Sequence, residues 1–141
     1  MIWSDELLLG HPAIDAEHRE LVALIGALLS CSEARLGEHL QAFTEHASAH
    51  FADEDREMAE TDFPAAGCHA DEHAKVVASA REVQALVAEG DVAIGRRFAE
   101  ELARWFPGHV AHLDSALAHW LVKRRHGGAP LVLRRRLCAT A

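Results

Sequence analysis

Apolar residues recur along most of this chain at intervals of three and four, the spacing that places side chains on one face of an α-helix. Four such stretches follow one another, separated by segments rich in helix-breaking residues. The four apolar faces are Ile14, Leu21, Ile25 and Leu28; Leu36, Leu40, Phe43 and Ala47; Val76, Ala80, Val83 and Val87; and Phe98, Leu102, Trp105, Leu113, Leu117 and Trp120. No segment alternates as a strand would. The pattern predicts an all-α, up-down-up-down antiparallel four-helix bundle.

Helix-breaking residues set the predicted boundaries. The first helix should follow Gly10-His11-Pro12, so residues 1–13 are expected to form an extended N-terminal arm. Within this arm, Trp3 is expected to plug the end of the bundle. The second helix is predicted over about residues 36–61 and the third over about residues 67–89, each ending ahead of a proline or a glycine.

The fourth helix contains an interruption of its own. Pro107-Gly108 lies within its apolar pattern. Proline removes a backbone donor and clashes with the preceding turn, while glycine adds backbone freedom. We therefore expect a kink or a break just ahead of His109, which would move Trp105 relative to that histidine.

Residues that can bind a metal occupy positions on these apolar faces where a bundle normally has leucine or isoleucine. They are His18 on the first helix, His50 and Glu54 on the second, His69 and His73 on the third, and His109 and Asp114 on the fourth. Ligands on consecutive helices are centred near residues 35, 61 and 91, all at predicted connections, so antiparallel helices would bring them to one level. Unpaired charges buried there would be very costly, whereas a bound cation makes them favourable.

The number of candidate ligands exceeds what one metal ion can bind. Five imidazoles and two bridging carboxylates, completed by a bridging hydroxide, leave roughly one open position on a pair of six-coordinate ions. Imidazole and carboxylate ligands favour iron over the copper that thiolate sites attract. An open position on a redox-active metal pair is where a small diatomic gas would bind.

The motifs that carry these ligands resemble those of the hemerythrins, specifically bacterial hemerythrin-like proteins. The resemblance covers about residues 3–122 and rests on Trp3, Gly10, Ile14-Asp15-Ala16-Glu17-His18, His50-Phe51-x-x-Glu54-Asp55-x-x-Met58, Phe63-Pro64, His69-x3-His73 and Trp105-x3-His109-x4-Asp114. It implies two iron ions, one held by His69, His73 and His109, the other by His18 and His50, with Glu54, Asp114 and a hydroxide or oxide bridging them. It also implies that dioxygen binds reversibly at the second iron, for storage, transport or delivery. Phe51 and Trp105 are expected to pack in the core and to line the gas pocket.

Other functions would use some of the same residues. A module that senses oxygen, redox state or nitric oxide, or that simply binds iron, stays open as an alternative. His69-Ala70-Asp71-Glu72-His73 matches a short metalloprotease motif, but that interpretation leaves His18, His50, Glu54 and Asp114 unexplained. A ferritin-like oxidase would need Glu-x-x-His pairs, and no glutamate in this chain has a histidine three residues later. We therefore predict a binding protein rather than an enzyme.

Charge divides the chain into an acidic body and a basic end. All 22 acidic residues lie within residues 1–114 with only 8 of the 14 basic ones, which gives that segment a net charge of −14. We predict a bundle domain over residues 1–122 and a basic tail over residues 123–141, containing Lys123-Arg124-Arg125 and Arg134-Arg135-Arg136. The acidic body argues against a nucleic-acid partner. The tail is expected to be solvated, or to make a weak contact with a partner or an anionic surface.

The remaining signals concern location and cysteine chemistry. No apolar run reaches the length of a membrane span, and the N-terminus lacks the basic start of a signal peptide, so we expect a cytoplasmic protein. Cys31, Cys68 and Cys138 are expected to be free thiols, with Cys68 near the metal because it precedes His69. Six further histidines are expected at the surface or behind the ligands: His11, His39, His46, His112, His119 and His126.

Overall fold

The computed structural model describes residues 1–125, and every regular element in that range is helical. The helices are α1 (Pro12–Ser30), α2 (Leu36–Glu60), α3 (Ala66–Ala88), α4 (Val92–His109) and α5 (Ser115–Arg125), with a π-helical segment (Val110–Asp114) joining α4 to α5 without a gap. α4, this segment and α5 therefore form the fourth helix of the bundle. The sequence-based helix boundaries are confirmed to within a few residues. His126, Cys138 and Arg134-Arg135-Arg136 lie outside the described residues.

The helices pack in the order in which the chain visits them. α1 contacts α2, α2 contacts α3, α3 contacts α4, and α4 returns to α1, as in an antiparallel four-helix bundle. The apolar faces identified from the sequence meet in the core, where Leu40 and Phe43 are almost fully buried. Burying a side chain of this size contributes about 1.5–3 kcal/mol each. A smaller cluster of Met58, Phe63 and Leu117 closes the end of the bundle where α2 meets α3.

The N-terminal arm is fastened to the start of α1 by two side chains. The Asp15 carboxylate accepts hydrogen bonds from the backbone N–H groups of Leu9 (2.8 Å) and Gly10 (3.1 Å). His11 caps the helix, because its Nδ1 accepts from the backbone N–H of Ile14 at 3.3 Å. His11 is thus a buried cap, and neither a surface residue nor a partner of the predicted ligands.

The arm runs back along α1, which corrects the expected position of Trp3. The Arg19 guanidinium lies over the Trp3 ring, 4.4 Å from its centroid, in the second turn of α1. Further along the same helix, a Cβ at Gly26 would lie 2.8 Å from the carbonyl oxygen of Met1. Trp3 therefore packs beside α1 and does not plug the end of the bundle. The arm is also not fully extended, since it contains a 3-10 turn at Asp5–Leu7.

Of the predicted kink or break at Pro107-Gly108, the break is wrong, because α4 continues through both residues to His109, and the kink stays a prediction. Proline removes one helical hydrogen bond, but Pro107 lies on the exposed face, where water can bond to the carbonyl that loses its donor. The irregularity comes one turn later. There the chain forms the π-helical segment, and the backbone N–H of Ser115 bonds to the carbonyl of Val110, five residues earlier.

Two remaining expectations concern the membrane and the thiols. No helix within residues 1–125 combines the length and apolar character needed to cross a membrane. Cys31 is half-buried and Cys68 is exposed, and both are free thiols as predicted. Lys123, Arg124 and Arg125 form the exposed last turn of α5, where basic side chains complement the helix dipole.

Two glycines of α4 give opposite stability predictions. A Cβ at Gly108 would meet nothing within 4 Å, whereas one at Gly95 would lie 2.7 Å from Leu36 Cδ2 and 2.8 Å from Val87 Cγ2. We expect Gly108→Ala to raise the free energy of unfolding by about 0.5–1 kcal/mol, because alanine loses less backbone entropy in a helix. Gly95→Ala should lower it by about 1–3 kcal/mol through overpacking. Urea unfolding followed by circular dichroism measures both, and a loss of stability in Gly108→Ala would contradict the continuous helix.

Candidate metal centre

The seven predicted ligands meet at one level of the bundle, each with less than a twentieth of its surface exposed. His18 comes from α1, His50 and Glu54 from α2, and His69 and His73 from α3. The four-residue spacing on α2 and on α3 places both members of each pair on one helix face. The ligand atoms form two sets that share Glu54: Glu54, His69, His73, His109 and Asp114; and His18, His50 and Glu54. The level predicted from the sequence is therefore the level at which the side chains meet.

His109 and Asp114, on the fourth helix of the bundle, both face the cluster because of the π-helical segment between them. His109 and Asp114 are five residues apart, and in a regular α-helix they would point about 140° away from each other. A turn with hydrogen bonds between residues five apart returns the second side chain to the face of the first. The His109 Nε2 and Asp114 Oδ1 atoms lie 3.0 Å apart. The sequence analysis placed both residues at one level but missed the π-helix, for which the five-residue spacing was the available signal.

The Glu54 carboxylate divides its oxygens between two groups of imidazoles. Its Oε1 lies 3.1 Å from His50 Nε2 and 4.0 Å from His18 Nε2. Its Oε2 lies 3.2 Å from His73 Nε2 and 3.5 Å from His69 Nε2. One oxygen thus faces the histidines of α1 and α2, and the other faces those of α3.

The Asp114 carboxylate repeats this division from the fourth helix. Its Oδ2 lies 3.0 Å from His18 Nε2, while its Oδ1 lies 2.8 Å from His69 Nε2 and 3.0 Å from His109 Nε2. Both carboxylates therefore face the same two groups of nitrogen atoms. Each carboxylate thus offers one oxygen to each group of histidines.

The orientation of two imidazoles tests whether the site suits a metal ion. His73 Nδ1 lies 2.8 Å from Asp55 Oδ1, and His109 Nδ1 lies 2.9 Å from Glu72 Oε1. An ionised carboxylate only accepts hydrogen bonds, so each Nδ1 carries a proton, and a ring without a second proton has its lone pair on Nε2. The two Nε2 atoms lie 3.3 Å apart. Two lone pairs that face each other repel, and a cation bound to both turns that repulsion into attraction.

The other ligand atoms have the same character. Among residues 1–125, the Nε2 atoms of His18, His50 and His69 and all four oxygens of Glu54 and Asp114 are buried and have no partner in hydrogen-bond geometry. Several of these atoms are nevertheless within ion-pair distance of one another, as the distances above show. The ligand atoms of each set lie within 4.8 Å of one another, although these buried atoms form no hydrogen bond. Buried atoms of this kind are costly unless they bind something cationic, so the donor set fits metal ions.

Without metal, protons on the imidazoles provide the positive charge. Burial raises the pKa of the Glu54 and Asp114 carboxyls, but the surrounding histidines outweigh burial and hold both pKa values below their usual range. Burial lowers the pKa of His69, and the carboxylates of Asp114 and Glu54 reverse this and raise it to about 9. Glu54 likewise overcomes the desolvation of His50 and raises its pKa.

Aromatic rings enclose both sides of the cluster. Phe51 stacks on His73 with ring centroids 4.1 Å apart and an interplanar angle of 4°. Phe106 presents its edge to His18 at 5.3 Å. Trp105 lies 4.4 Å from His109. Phe51 and Trp105 thus adjoin the candidate ligands as expected from the sequence, and Phe106 forms a further wall beside His18.

Two carboxylates behind the ligands, those of Asp55 and Glu72, were also missed. Glu72 accepts from Trp105 Nε1 at 2.7 Å through the same Oε1 that faces His109 Nδ1. Such contacts fix the tautomer and the ring orientation of a metal ligand. Glu72 therefore orients His109 from the side away from the cluster. In the metalloprotease motif, the glutamate would instead face the metal site. A carboxylate next to a ligand on the same helix was the only signal in the sequence.

The other residues that the sequence singled out lie outside the two ligand sets. His46 is half-buried and its Nε2 lies 3.0 Å from Glu17 Oε2. His39 is half-buried, and His112 and His119 are exposed. Cys68 is exposed on a surface groove and belongs to neither ligand set, despite its place before His69.

The fold and the cluster define a class, the four-helix bundles that bind cations between their helices. Within that class the chain belongs to the hemerythrin family. The family described as Hemerythrin HHE cation binding domain matches residues 9–121, a range that includes all seven ligands.

Individual relatives agree with this assignment. The chain is 43% identical over 122 residues to a bacteriohemerythrin of Ralstonia nicotianae, a match that covers 86% of this chain and 89% of the relative. It is 26% identical to a bacteriohemerythrin of Stenotrophomonas maltophilia, with 84% and 79% covered. It is 27% identical to a myohemerythrin of Riftia pachyptila, with 80% and 87% covered.

The pKa shifts predict how the stability of the metal-free protein depends on pH. A raised histidine pKa contributes stability that is complete below the unfolded value near ~6.5 and is lost as pH rises through the folded value. For His69 the folded value is about 9. We expect the free energy of unfolding of metal-free protein to fall by up to about 3 kcal/mol between pH 6.5 and 9. The lowered carboxyl pKa values act in the opposite direction, with stability lost at acidic pH.

Metal-loaded protein is the control for this prediction. Its bound histidines are neutral, so the loss above pH 6.5 should disappear, while acid should release the metal as protons compete for the ligands. Thermal unfolding of both forms across pH 4–9 makes the comparison. Metal-free protein as stable at pH 9 as at pH 6.5 would contradict the proton-bound cluster.

Proposed function

We propose that this protein holds two iron ions in the buried cluster and binds dioxygen reversibly, for storage, transport or delivery. The observation that carries the proposal is the division of both carboxylates, which places one oxygen of Glu54 and one of Asp114 on each side. Membership of the hemerythrin family supports the choice of iron and of dioxygen.

The two sides would hold their ions unequally. One is served by three imidazoles, those of His69, His73 and His109, and the other by two, those of His18 and His50. Glu54 and Asp114 serve both sides as bridges. The side with one imidazole fewer is the one that offers a position for a diatomic ligand.

The chain's own residues prepare this position. The irons would supply the reversible electron transfer on which dioxygen binding depends. Phe106 against His18 and Phe51 against His50 keep that side apolar and exclude water, which would otherwise help the gas to leave in a reduced form and leave the irons oxidised. Asp55 and Glu72 hold the imidazoles of the opposite side in one orientation. A rigid ligand set that is dry on one side favours binding and release over further reaction.

The ligand composition favours a binding protein over an oxidase. The cluster has five imidazoles, which are neutral when they bind a metal ion, and only two carboxylates. Fewer anionic ligands give less stabilisation to the highly charged iron states that oxidation chemistry requires. A role in sensing oxygen, redox state or nitric oxide is a second candidate, and it is favoured by one observation. Glu72 connects the ligand His109 to a groove on the surface, so a change at the centre can reach the outside of the molecule.

The metal stoichiometry tests the proposal. We expect two irons per chain after expression in iron-replete medium, with an optical spectrum that changes between reduced protein and reduced protein exposed to air. One zinc per chain and no iron would contradict it. Reversibility is tested by removing the gas, which should restore the reduced spectrum without loss of iron.

Variants of the bridging residues test the assignment of ligands. We expect Glu54→Ala and Asp114→Ala each to lose most of the iron, because each removes a ligand from both ions and leaves imidazoles without a counter-charge. His112→Ala is the matched control, since His112 is exposed two residues before Asp114. Iron content per folded chain, with folding checked by circular dichroism, is the measurement. Equal iron in the three variants would show that the carboxylates are not bridges.

A further inference from the structure

A surface groove between α3 and α4 lies behind the candidate ligand His109, because two of its lining residues, Glu72 and Trp105, contact that histidine. It encloses about 740 Å³, a volume in the range of ligand pockets in proteins. Its apolar lining is formed by Val76, Phe98, Leu102 and Trp105. Reversible dioxygen binding does not require a groove of this kind.

The groove is also acidic. Asp71, Glu72 and Glu101 line it, and Lys75 is the basic residue of the lining. Both inward contacts of Glu72 use Oε1, and within residues 1–125 its Oε2 has no hydrogen-bond partner. An apolar floor with carboxylates around it suits a segment that combines apolar and basic side chains.

The chain contains one segment of that composition after the described residues. Residues 131–137 read Leu-Val-Leu-Arg-Arg-Arg-Leu, and no acidic residue follows Asp114. We propose that residues 131–137 bind in the α3–α4 groove, with the leucines and the valine on its apolar floor and Arg134-Arg135-Arg136 beside its carboxylates.

The connection to this segment starts at the end of α5, where Arg125 Nη2 lies 3.4 Å from His11 Nε2 at the start of α1. Trp120 donates from Nε1 to Thr61 Oγ1 at 2.9 Å and packs against Phe63, so α5 lies beside the connection that leads into α3. The groove begins at Cys68, the third residue of α3. Five residues, 126–130, separate α5 from the proposed segment and can span about 17 Å when extended.

Binding in this groove has a consequence at the metal centre. Glu72 orients His109 and Trp105 through its Oε1 atom. An arginine paired with the Oε2 atom of the same carboxylate would change the position and the charge distribution of that carboxylate. The docking itself does not depend on the proposed function, and only this consequence does.

Cys68 gives a direct measurement, because it is exposed and lines the groove. We compare the rate of its labelling by N-ethylmaleimide, resolved by peptide mass mapping, in the full iron-loaded chain and in full-length Arg134→Ala/Arg135→Ala/Arg136→Ala. We expect labelling to be at least about fivefold faster in the variant, the change produced when a groove occupied four-fifths of the time becomes free. Removing nearby positive charge would by itself make the thiol less reactive and slow its labelling. Faster labelling in the variant therefore cannot come from the change in charge.

Charge reversal separates docking from a direct electrostatic effect on the thiol. Asp71→Lys/Glu101→Lys should also expose Cys68, and adding Arg134→Glu/Arg136→Glu to that protein should restore protection. A direct effect of the new lysines on the thiol would persist in the combined variant. The control for net charge is Arg35→Ala/Arg56→Ala/Arg81→Ala, which removes three exposed arginines outside the groove lining and should leave the labelling rate unchanged.

Three outcomes overturn the proposal. They are equal labelling in wild type and the Arg134–Arg136 variant, no restoration by charge reversal, and protection that appears only when chains are concentrated, which would mean that the segment binds a second copy. Labelling of metal-free protein gives the same readout without iron, so failure of the docking and failure of the proposed function can be told apart.

Discussion

The structure depends on keeping seven ionisable side chains dry at one level of a small bundle. Two buried carboxylates are stable here only if each of them lies close to positive charge, from protons on the imidazoles or from metal ions. Glu54 and Asp114 meet this condition by each facing both groups of histidines. The helices have to hold these groups in register, because a one-residue shift in any helix would turn a ligand away from the cluster and leave its neighbours unpaired.

Much of this arrangement could be predicted from the sequence. Burial of the cluster and the register of the helices both require the candidate ligands to lie on the apolar face of their helix. His50 and Glu54, and His69 and His73, are spaced for one helix face and interrupt apolar stripes where leucine would otherwise lie. Counting from helix-breaking residues then placed them at one level, and the structure has them there. Helix ends were equally predictable, since Pro12 and Pro64 lie at or beside connections for steric reasons that act locally.

The rest could not be predicted because it depends on relations between helices. Proline is a local signal for a break, yet α4 continues through Pro107, whose exposed position leaves the unpaired carbonyl of the preceding turn open to solvent. The π-helical segment forms because Asp114 must face the cluster, a demand that no local propensity expresses. Asp55 and Glu72 look like ordinary solvated acids until α2, α3 and α4 are assembled around His73 and His109. Trp3 was assigned to the end of the bundle because the sequence does not show that the arm reverses along α1.

Trp105 gives the molecule a built-in optical reporter. Its indole lies 4.4 Å from the His109 ring, whereas Trp3 packs with Arg19 and Trp120 with Phe63. A paramagnetic ion bound at His109 would quench the emission of this one fluorophore far more than that of the other two. Loading and loss of the ion can then be followed in real time from the fluorescence of the unlabelled chain, at concentrations too low for absorption measurements.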